Sequence, residues 1–549
     1  MPQPLYGFCA TESIDRHLSS RLSAGSLRST TLAEGKITML DVRNAMRRAA
    51  GFHRDRIAVI SDERKLTYTE AWERGLRFAN ALLSLGVVPG DRVAVLEDNC
   101  LEASDFFLGA AAANVVRVPL YRRNSREAHG HMLRNTGCTA IVVSEEYLHE
   151  IEGLEKTIPT LKHVIVRGSD YENWLIKHSK EDPNPPVALD DFHIIRHSGG
   201  TTGQSKGMAF SHRTWMNTER DWTYFLPPID AGDGCVHAGP ISHGSGYLFL
   251  PIWLAGGYNV LEAKFSPTRM LDLIDEHCGY FFAVPTMISD MLSAPPAKRT
   301  FSKLKAIVVS GAPIRAQTAL AAKDMFGARL HQLYGQTECT PVVWMGPKEW
   351  FTEVKGSEPL ASVGRVMPFA EVEIRDDDNK TLPLGEIGEI AVRSDGQMEK
   401  IWNEPEQTAS RVIDGWVLTR DIGKLDQNGF LYLVDRKDDM IISGGLNIWP
   451  AELEIAISSL PGVREVAVVG APAERWGETP VAVVVVNPGA TLTKEDVIQV
   501  CAQQLGSYKK PSQVVLQSEP LPRTPVGKIQ RKVVRETFWV GHKSRIGGT

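Results

Sequence analysis

Residues 197–207 read HSGGTTGQSKG, a glycine-, serine- and threonine-rich stretch with a single lysine. The preceding FHIIRH (192–197) and the following MAFSH (208–212) are short segments rich in apolar residues, which predicts a strand on each side. A strand–loop–strand differs from the strand–loop–helix of the usual P-loop. The GxxxxGK[ST] pattern is also absent, because Lys206 stands three residues after Gly203.

The chemistry of this loop nevertheless suits phosphate. Glycines let successive backbone N–H groups converge on an anion, and Ser198, Thr201 and Thr202 add hydroxyl donors to the charge of Lys206. An exposed loop without a ligand explains the loop equally well. The loop by itself therefore leaves both interpretations open.

The composition is that of an ordinary globular protein. The chain has 549 residues, 43% hydrophobic and 23% charged, with a formal net charge of -5. This length predicts more than one domain. The weak negative charge argues against nucleic-acid partners and against membrane surfaces held by bulk charge.

Cysteine usage and the apolar stretches indicate a cytoplasmic protein rather than a secreted or membrane protein. The seven cysteines contain no CxxC pair, which favours a reducing compartment and argues against a structural zinc site. The first residues show no basic start followed by an apolar run. The stretches 106–116 and 246–261 are shorter than the ~18 apolar residues of a membrane span, so we expect buried core and no stable membrane insertion.

Short Val/Ile-rich strands alternate with helix-length segments from about residue 56, which predicts an α/β domain with substantial parallel sheet. Near residue 370 the pattern changes to short strands and turns, so we expect a β-rich subdomain that closes the large domain. A charged run, DRKDD (435–439), precedes a new set of helices and strands. The predicted boundary lies at 435–440.

Four further segments carry polar residues in compact groups. They are HQLYGQTEC (331–339), GWVLTRDIG (415–423) with Asp421 expected in a short turn, LVDRKDDMIISGGLNIWPAELE (433–454), and PRTPVGKIQRK (522–532). Taken singly, each has a structural explanation as core, solvated turn or surface. Their order along the chain is more informative.

In this order the five segments resemble the adenylate-forming superfamily, which comprises acyl- and aryl-CoA ligases, adenylation domains and luciferases. The resemblance extends from about residue 40 to 535 and includes LSLGVVPGDRVAVLEDN (83–99) and SGAPI (310–314). It implies an N-terminal ATP- and acyl-binding domain (1–435) and a small, mobile α+β C-terminal domain (436–549).

The resemblance implies a complete set of residues for ATP. The loop would wrap the β- and γ-phosphates with Ser198, Gly199, Gly200, Thr201, Thr202, Gly203 and Lys206. Tyr334 and Gly335 would lie against adenine, beside the backbone of Gly311 and Ala312.

Further residues would act on the reacting groups. Thr337 would contact the α-phosphate, and Glu338 would hold Mg²⁺. Asp421 would accept hydrogen bonds from the ribose hydroxyls, with Arg436 nearby. Lys528 would bridge the attacking carboxylate and the α-phosphate.

The same resemblance implies a second half-reaction with CoA. The C-terminal domain would rotate about Asp438, withdraw Lys528 and bring Gly444 and Gly445 to a pantetheine tunnel. Trp476, in ERWGE (474–478), would contact CoA or serve as a structural tryptophan.

The resemblance places the acyl pocket near PISHGSGYLFLP (240–251), with His243 beside the incoming carboxylate or in a structural role. This segment has no acid, so an α-amino substrate would leave its charge unpaired. We therefore expect an apolar carboxylic acid, fatty or aryl. The expected partners are this acid, ATP and CoA, with a possible homodimer.

Some residues depart from the family pattern without removing a catalytic group. They are His197 at the loop entrance, Ser205 before Lys206, Arg420 before Asp421, and Trp449. Two alternatives to a CoA ligase stay open. One is a stand-alone adenylating enzyme that loads a carrier protein. The other is a catalytically silent nucleotide-binding protein, which is disfavoured because Lys206, Glu338 and Lys528 are all present.

Overall fold

A computed structural model describes residues 40–122, 124–197, 205–443, 446–473, 476–523 and 528–540. The phosphate-loop residues 198–203 and the glycine pair Gly444 and Gly445 lie outside these ranges. The backbone of Asp438 is described, but its side chain is not.

The strands and helices are numbered in chain order. The strands are β1 (Ile57–Ser61), β2 (Arg64–Thr67), β3 (Arg92–Leu96), β4 (Val116–Pro119), β5 (Ala140–Ser144), β6 (His163–Arg167), β7 (Phe192–His197), β8 (Gly207–Ser211), β9 (Gly234–His237), β10 (Tyr258–Leu261), β11 (Cys278–Ala283), β12 (Ala306–Val309), β13 (Leu330–Gln336), β14 (Cys339–Met345), β15 (Gly364–Val366), β16 (Ala370–Arg375), β17 (Gly388–Ser394), β18 (Lys400–Ile401), β19 (Val412–Ile413), β20 (Trp416–Leu425), β21 (Phe430–Arg436), β22 (Ile441–Ser443), β23 (Leu446–Ile448), β24 (Val463–Ala473), β25 (Gly477–Val486) and β26 (Gln513–Gln517). The helices are α1 (Val42–His53), α2 (Tyr68–Ser84), α3 (Ala103–Ala112), α4 (Arg126–Thr136), α5 (Tyr171–Leu175), α6 (His212–Phe225), α7 (Phe249–Ala255), α8 (Pro267–His277), α9 (Pro285–Leu292), α10 (Ala316–Phe326), α11 (Pro347–Trp350), α12 (Pro405–Arg411), α13 (Pro450–Ser458), α14 (Lys494–Leu505) and α15 (Arg531–Glu536).

The first sheet carries the hairpin predicted around the phosphate loop. Its order is β18-β8-β7-β4-β3-β5-β6. β7 and β8 pair antiparallel, with His197 opposite Gly207, whereas β4, β3, β5 and β6 are parallel. The two strands predicted on either side of this segment are therefore confirmed.

The second sheet joins a parallel part to an antiparallel part in the order β16-β17-β20-β21-β15-β14-β13-β12-β11-β9-β10-β1-β2. From β10 to β13 the neighbouring strands run parallel, and from β13 to β16 they run antiparallel. The antiparallel part corresponds to the β-rich subdomain expected near residue 370. The α/β fold class is confirmed.

Helix α2 shows how the local sequence forms these layers. Thr67 caps it with a capping box, in which the Thr67 hydroxyl accepts from the Glu70 N–H and the Glu70 carboxylate accepts from the Thr67 N–H. Its buried face includes Leu76 and Phe78 and packs on α3. The apolar stretch 246–261 forms a 3₁₀ turn, α7 and β10, all largely buried. Among the described residues, every helix is too short or too polar to cross a bilayer.

The third sheet follows the end of β21. It has the order β23-β22-β25-β24, with β26 parallel to β25, and α13 and α14 cover it. Its two apolar clusters draw on residues from Ile441 to Val534, whereas the larger clusters of the two other sheets end at Leu431.

The expectation of a short turn around Asp421 is wrong. Asp421 lies inside strand β20, as its sixth residue. Three consecutive polar residues suggested a turn, but the strand accommodates them with a register shift after Ile422 and a left-handed backbone at Arg420, φ 60°. Such irregularities re-aim side chains without ending a strand.

Candidate active site

Four of the candidate residues lie just after the carboxyl ends of neighbouring parallel strands, where open α/β sheets bind ligands. Strands β11, β12 and β13 run parallel in this region. Gly311 and Ala312 follow the end of β12 and are exposed, and Gly311 has a left-handed φ of 86°. Thr337 and Glu338 form the turn between β13 and β14.

Asp421 is the centre of a buried polar network. Its carboxylate accepts hydrogen bonds from the Tyr334 hydroxyl at 2.7 Å and from the Gln336 side-chain amide at 2.5 Å. The Arg436 Nε lies 2.6 Å from the other carboxylate oxygen. Burial and the neighbouring carboxylate raise the pKa of Tyr334 well above its ordinary value, so the phenol stays a donor.

Strand register brings Asp421 and Arg436 together. β20 and β21 pair antiparallel with these two residues directly opposite each other, so their side chains share one face of the sheet. Glu389 on β17 accepts from the Arg420 N–H at 2.9 Å, which fixes the irregular backbone just before Asp421. Asp421 is therefore held from its own strand and from three neighbouring residues.

Gly335 has no room for a side chain. A Cβ there would lie 2.6 Å from the Thr340 hydroxyl and 2.9 Å from the Cys339 carbonyl oxygen. This contact lets β13 turn back into β14 directly beside the Asp421 network. The tight turn also fixes Thr337 and Glu338 next to the network.

Glu338 is a buried carboxylate that suits magnesium bound to nucleotide phosphates. It is 7% exposed, and one of its oxygens lies 3.0 Å from the Arg411 guanidinium at the end of α12. Within the described residues no group of three His, Cys, Asp or Glu side chains converges as a metal site. Mg²⁺ commonly binds through one or two carboxylates plus substrate phosphates, so this single hard oxygen donor fits MgATP.

Lys528 lies within electrostatic reach of the same network. Burial and the positive charge of Arg436 lower the pKa of its ammonium group, while the carboxylates of Asp421 and Glu338 act in the opposite direction. The residue also retains solvent-accessible surface. Lys528 therefore lies near Asp421, which is proposed to bind the ribose, and near Glu338, which is proposed to bind Mg²⁺. It is at a solvent-accessible edge of the site.

Arg531, three residues after Lys528, connects this segment to the end of β21. Its guanidinium contacts Asp435 at 2.8 Å, Asp439 at 3.0 Å and Glu454 at 2.5 Å. The other oxygen of Asp435, which is 1% exposed, accepts from the Ala451 N–H at 2.7 Å. The predicted hinge region and the Lys528 segment thus share one ion network.

The remaining predicted residues lie in separate surroundings. His243 is half-buried, its Nδ1 lies 2.9 Å from the Ser242 hydroxyl, and the Tyr121 ring packs edge-on at 4.7 Å. Burial, with Arg196, lowers the pKa of His243 to about 3, so the imidazole is neutral at ordinary pH. Lys206 directly precedes β8, and Trp476, between β24 and β25, is 49% exposed.

Sequence reasoning missed Gln336, Arg411 and Arg531 as parts of this site. Gln336 could have been found, because it alternates with Tyr334 on β13 and so faces the same side. Arg411 and Arg531 reach the site only through tertiary packing from α12 and α15. Nothing local in the sequence distinguishes them from surface arginines.

Comparison with known proteins agrees with this geometry. The family model for AMP-binding enzymes matches residues 46–402, and the model for the AMP-binding enzyme C-terminal domain matches residues 452–528. A fatty acid–[acyl-carrier-protein] ligase, ScoC of Streptomyces coeruleorubidus, is 30% identical over 88% of this chain and 93% of its own length. A feruloyl-CoA synthase of Streptomyces sp. is 32% identical over 86% and 94%. ATP-bound MatB from Rhodopseudomonas palustris superimposes with a TM-score of 0.83 at 28% identity, covering 92% of this chain and all of MatB.

Proposed function

Because this chain belongs to the AMP-binding enzyme family, we propose that it is an ATP-dependent carboxylate–CoA ligase. It activates an apolar fatty or aryl carboxylic acid as acyl-AMP, releases pyrophosphate, and transfers the acyl group to CoA. The observation that carries the proposal is the convergence of Tyr334, Gln336 and Arg436 on the Asp421 carboxylate, with Lys528 and Glu338 beside it.

In the first half-reaction, the Asp421 carboxylate accepts hydrogen bonds from the ribose hydroxyls. Tyr334 and Gly335 lie against adenine. Thr337 contacts the α-phosphate, and Lys206 with the loop 198–203 holds the β- and γ-phosphates. A carboxylate oxygen of the substrate attacks the α-phosphorus, and pyrophosphate leaves. Both reactants are anionic, so Lys528 offsets the repulsion most strongly where charge accumulates in the transition state.

Two more groups act around the reacting carboxylate. Glu338 would hold Mg²⁺, which supplies additional positive charge to the phosphates when it is bound. The neutral imidazole of His243 orients the carboxylate without introducing a charge of its own. Arg411 lies 3.0 Å from one Glu338 oxygen and would compete with Mg²⁺ for this carboxylate.

In the second half-reaction, the thiol of CoA attacks the acyl carbon, loses its proton, and AMP leaves. We propose that the residues after the 435–440 boundary rotate about Asp438 for this step, withdrawing Lys528 and presenting Gly444, Gly445 and Trp476 to CoA. The Arg531 contacts with Asp435 would break in this rotation, because Asp435 stays with β21.

A carrier protein is the alternative acyl acceptor. The similarity of this chain to a fatty acid–[acyl-carrier-protein] ligase supports this alternative. In that case the first half-reaction is unchanged and the thiol is a phosphopantetheine arm. The cytoplasmic location and the homodimer remain predictions.

The proposal is tested by pyrophosphate release from ATP and Mg²⁺ with a panel of fatty and aryl acids, each with and without CoA. Turnover that requires both an acid and CoA supports the ligase. A single acid-dependent burst without turnover on CoA supports carrier loading. Absence of acid-dependent release across the panel contradicts acid activation itself.

A further inference from the structure

One face of α6 holds a buried acid between two tryptophans. Trp215, Glu219 and Trp222 follow a four- and three-residue spacing, so they share one side of the helix, and each is at most 2% exposed. Neither oxygen of the Glu219 carboxylate has a hydrogen-bond partner among the described residues, and neither indole N–H does. The Trp215 indole faces Glu219 without completing a hydrogen bond to it.

Two buried arginines face the same acid from the first sheet. Arg117 on β4 is 4% exposed and Arg196 on β7 is 7% exposed. Burial raises the pKa of Glu219 well above its ordinary value, and the two positive charges act in the opposite direction. Within the described residues, neither guanidinium hydrogen-bonds the Glu219 carboxylate. Arg117 approaches His193 instead, at 3.2 Å, and leaves its own Nε without a partner.

Unpaired buried polar atoms are rare and destabilising in folded proteins. Here several occur together, on side chains that could have paired with one another. Such a group indicates a ligand that completes the hydrogen bonds when it binds.

The cluster borders the proposed acyl pocket. The Tyr247 ring stacks on Trp222 at 5.0 Å and on Trp215 at 5.5 Å, and the Arg196 guanidinium lies 4.1 Å above it. Tyr247 is four residues from His243, and its phenol lies within electrostatic reach of Glu219 and of Glu338. The aromatic stack therefore extends from the reacting end towards the buried acid.

We propose that Glu219 binds a hydroxyl group on the substrate, and that the acid is a hydroxylated aromatic carboxylic acid. This inference rests on the proposed function and narrows its substrate class. A hydroxyl both donates and accepts, so it can donate to Glu219 while it accepts from an arginine or an indole N–H. The stacked rings of Trp215, Tyr247 and Trp222 favour an aromatic body.

Other end groups satisfy the cluster less well. The methyl end of a fatty acid leaves every polar atom unpaired. A second carboxylate pairs with the arginines but has no hydrogen to donate to Glu219, and an ammonium group is repelled by Arg117 and Arg196. Segment 240–251 contains no Asp or Glu, but this does not argue against a buried carboxylate at the pocket, because Glu219 belongs to α6.

The test compares kcat/KM for acid-dependent pyrophosphate release with p-coumarate, cinnamate and octanoate, which differ in the hydroxyl and the ring. Wild type should prefer p-coumarate over cinnamate by about 10- to 100-fold, since cinnamate leaves the buried polar groups of the cluster without the hydrogen bonds of the hydroxyl. In Glu219→Leu this ratio should fall to about 1, and in Glu219→Gln by at least about tenfold. A ratio measured on one enzyme sample is independent of the folded fraction, so reduced stability does not hide the effect.

Asp105→Asn is the matched control. Asp105 is also fully buried, but Arg74 and Tyr171 satisfy its carboxylate, so the variant should keep the wild-type ratio. A wild-type ratio near 1, or an unchanged ratio in both Glu219 variants, overturns the inference and leaves acid activation intact. Absence of acid-dependent release with every acid contradicts the proposed function itself.

Discussion

Replacement of Asp421 by asparagine should weaken ATP binding with little effect on the chemical step. The substitution keeps the shape of the side chain and an oxygen for the Tyr334 hydroxyl, but it removes the charge that Arg436 and Gln336 contact at 2.6 and 2.5 Å. A hydrogen bond to a charged group contributes about 1.5–3 kcal/mol, and each 1.36 kcal/mol is tenfold. We expect the KM for ATP to rise about 10- to 100-fold while kcat changes little, because ribose binding is uniform through the reaction.

The variant should remain folded. The Arg436 side chain is 43% exposed, so water can cover its charge when Asp421 is neutral, and the loss of stability should be about 1–2 kcal/mol. Asp414→Asn, at an exposed left-handed position before the same strand, removes one charge without touching the network and should leave the KM unchanged.

The assay is pyrophosphate release at varied ATP, repeated with 2′-deoxy- and 3′-deoxy-ATP. Wild type should discriminate against both analogues, and Asp421→Asn should lose most of that discrimination. An unchanged KM, or a raised KM with full discrimination retained, would refute contact between Asp421 and the ribose.

The remaining predictions address the metal, the catalytic lysine and pH. Arg411→Met should lower the free Mg²⁺ needed for half-maximal activity by about three- to tenfold, as measured in metal-buffered assays, because Arg411 competes for Glu338. Lys528→Ala should slow acyl-AMP formation by about 10²–10³-fold and largely spare thioester formation from supplied acyl-AMP. Burial lowers the pKa of His237 from 6.5 to about 4, so the unfolded chain binds this proton first as pH falls. The contribution of neutral His237 to the free energy of unfolding is therefore fully present above pH 6.5, and it is lost at about 1.4 kcal/mol per pH unit between pH 6.5 and pH 4. Denaturant titrations of wild type and His237→Asn at several pH values should show this difference.

Each of these predictions has a clear contrary outcome. Arg411→Lys keeps the charge and should retain the wild-type Mg²⁺ requirement, so equal shifts in both Arg411 variants would argue against competition. Equal loss of both half-reactions in Lys528→Ala would remove its specific role in the first. Parallel pH curves for wild type and His237→Asn would mean that folding does not lower the pKa of His237.

The fold was largely predictable because its elements have strong local patterns. The short apolar segments FHIIRH and MAFSH predict strands β7 and β8, and the apolar periodicity of 67–86 predicts α2. Asp421 was placed in a turn because its polar neighbours hide a strand whose irregularity depends on partner strands β17 and β21. Strand pairing is a tertiary property that a local pattern does not contain.

The candidate site divides in the same way. Tyr334, Glu338 and Lys528 belong to contiguous motifs, so their order along the chain pointed to them. Glu219 lies outside those motifs, although its spacing between Trp215 and Trp222 predicts that it faces inward. Its two facing arginines come from β4 and β7, and only the packing of α6 on the first sheet brings these charges together.

The most direct test of the central claim follows one oxygen atom. The enzyme is incubated with ATP, Mg²⁺, CoA and an accepted acid whose carboxylate carries ¹⁸O, and the nucleotide products are analysed by mass spectrometry. Attack of the carboxylate on the α-phosphorus, followed by thiolysis, predicts acyl-CoA and AMP that carries one ¹⁸O atom. Formation of ADP with the label in inorganic phosphate, or unlabelled AMP, would contradict the account.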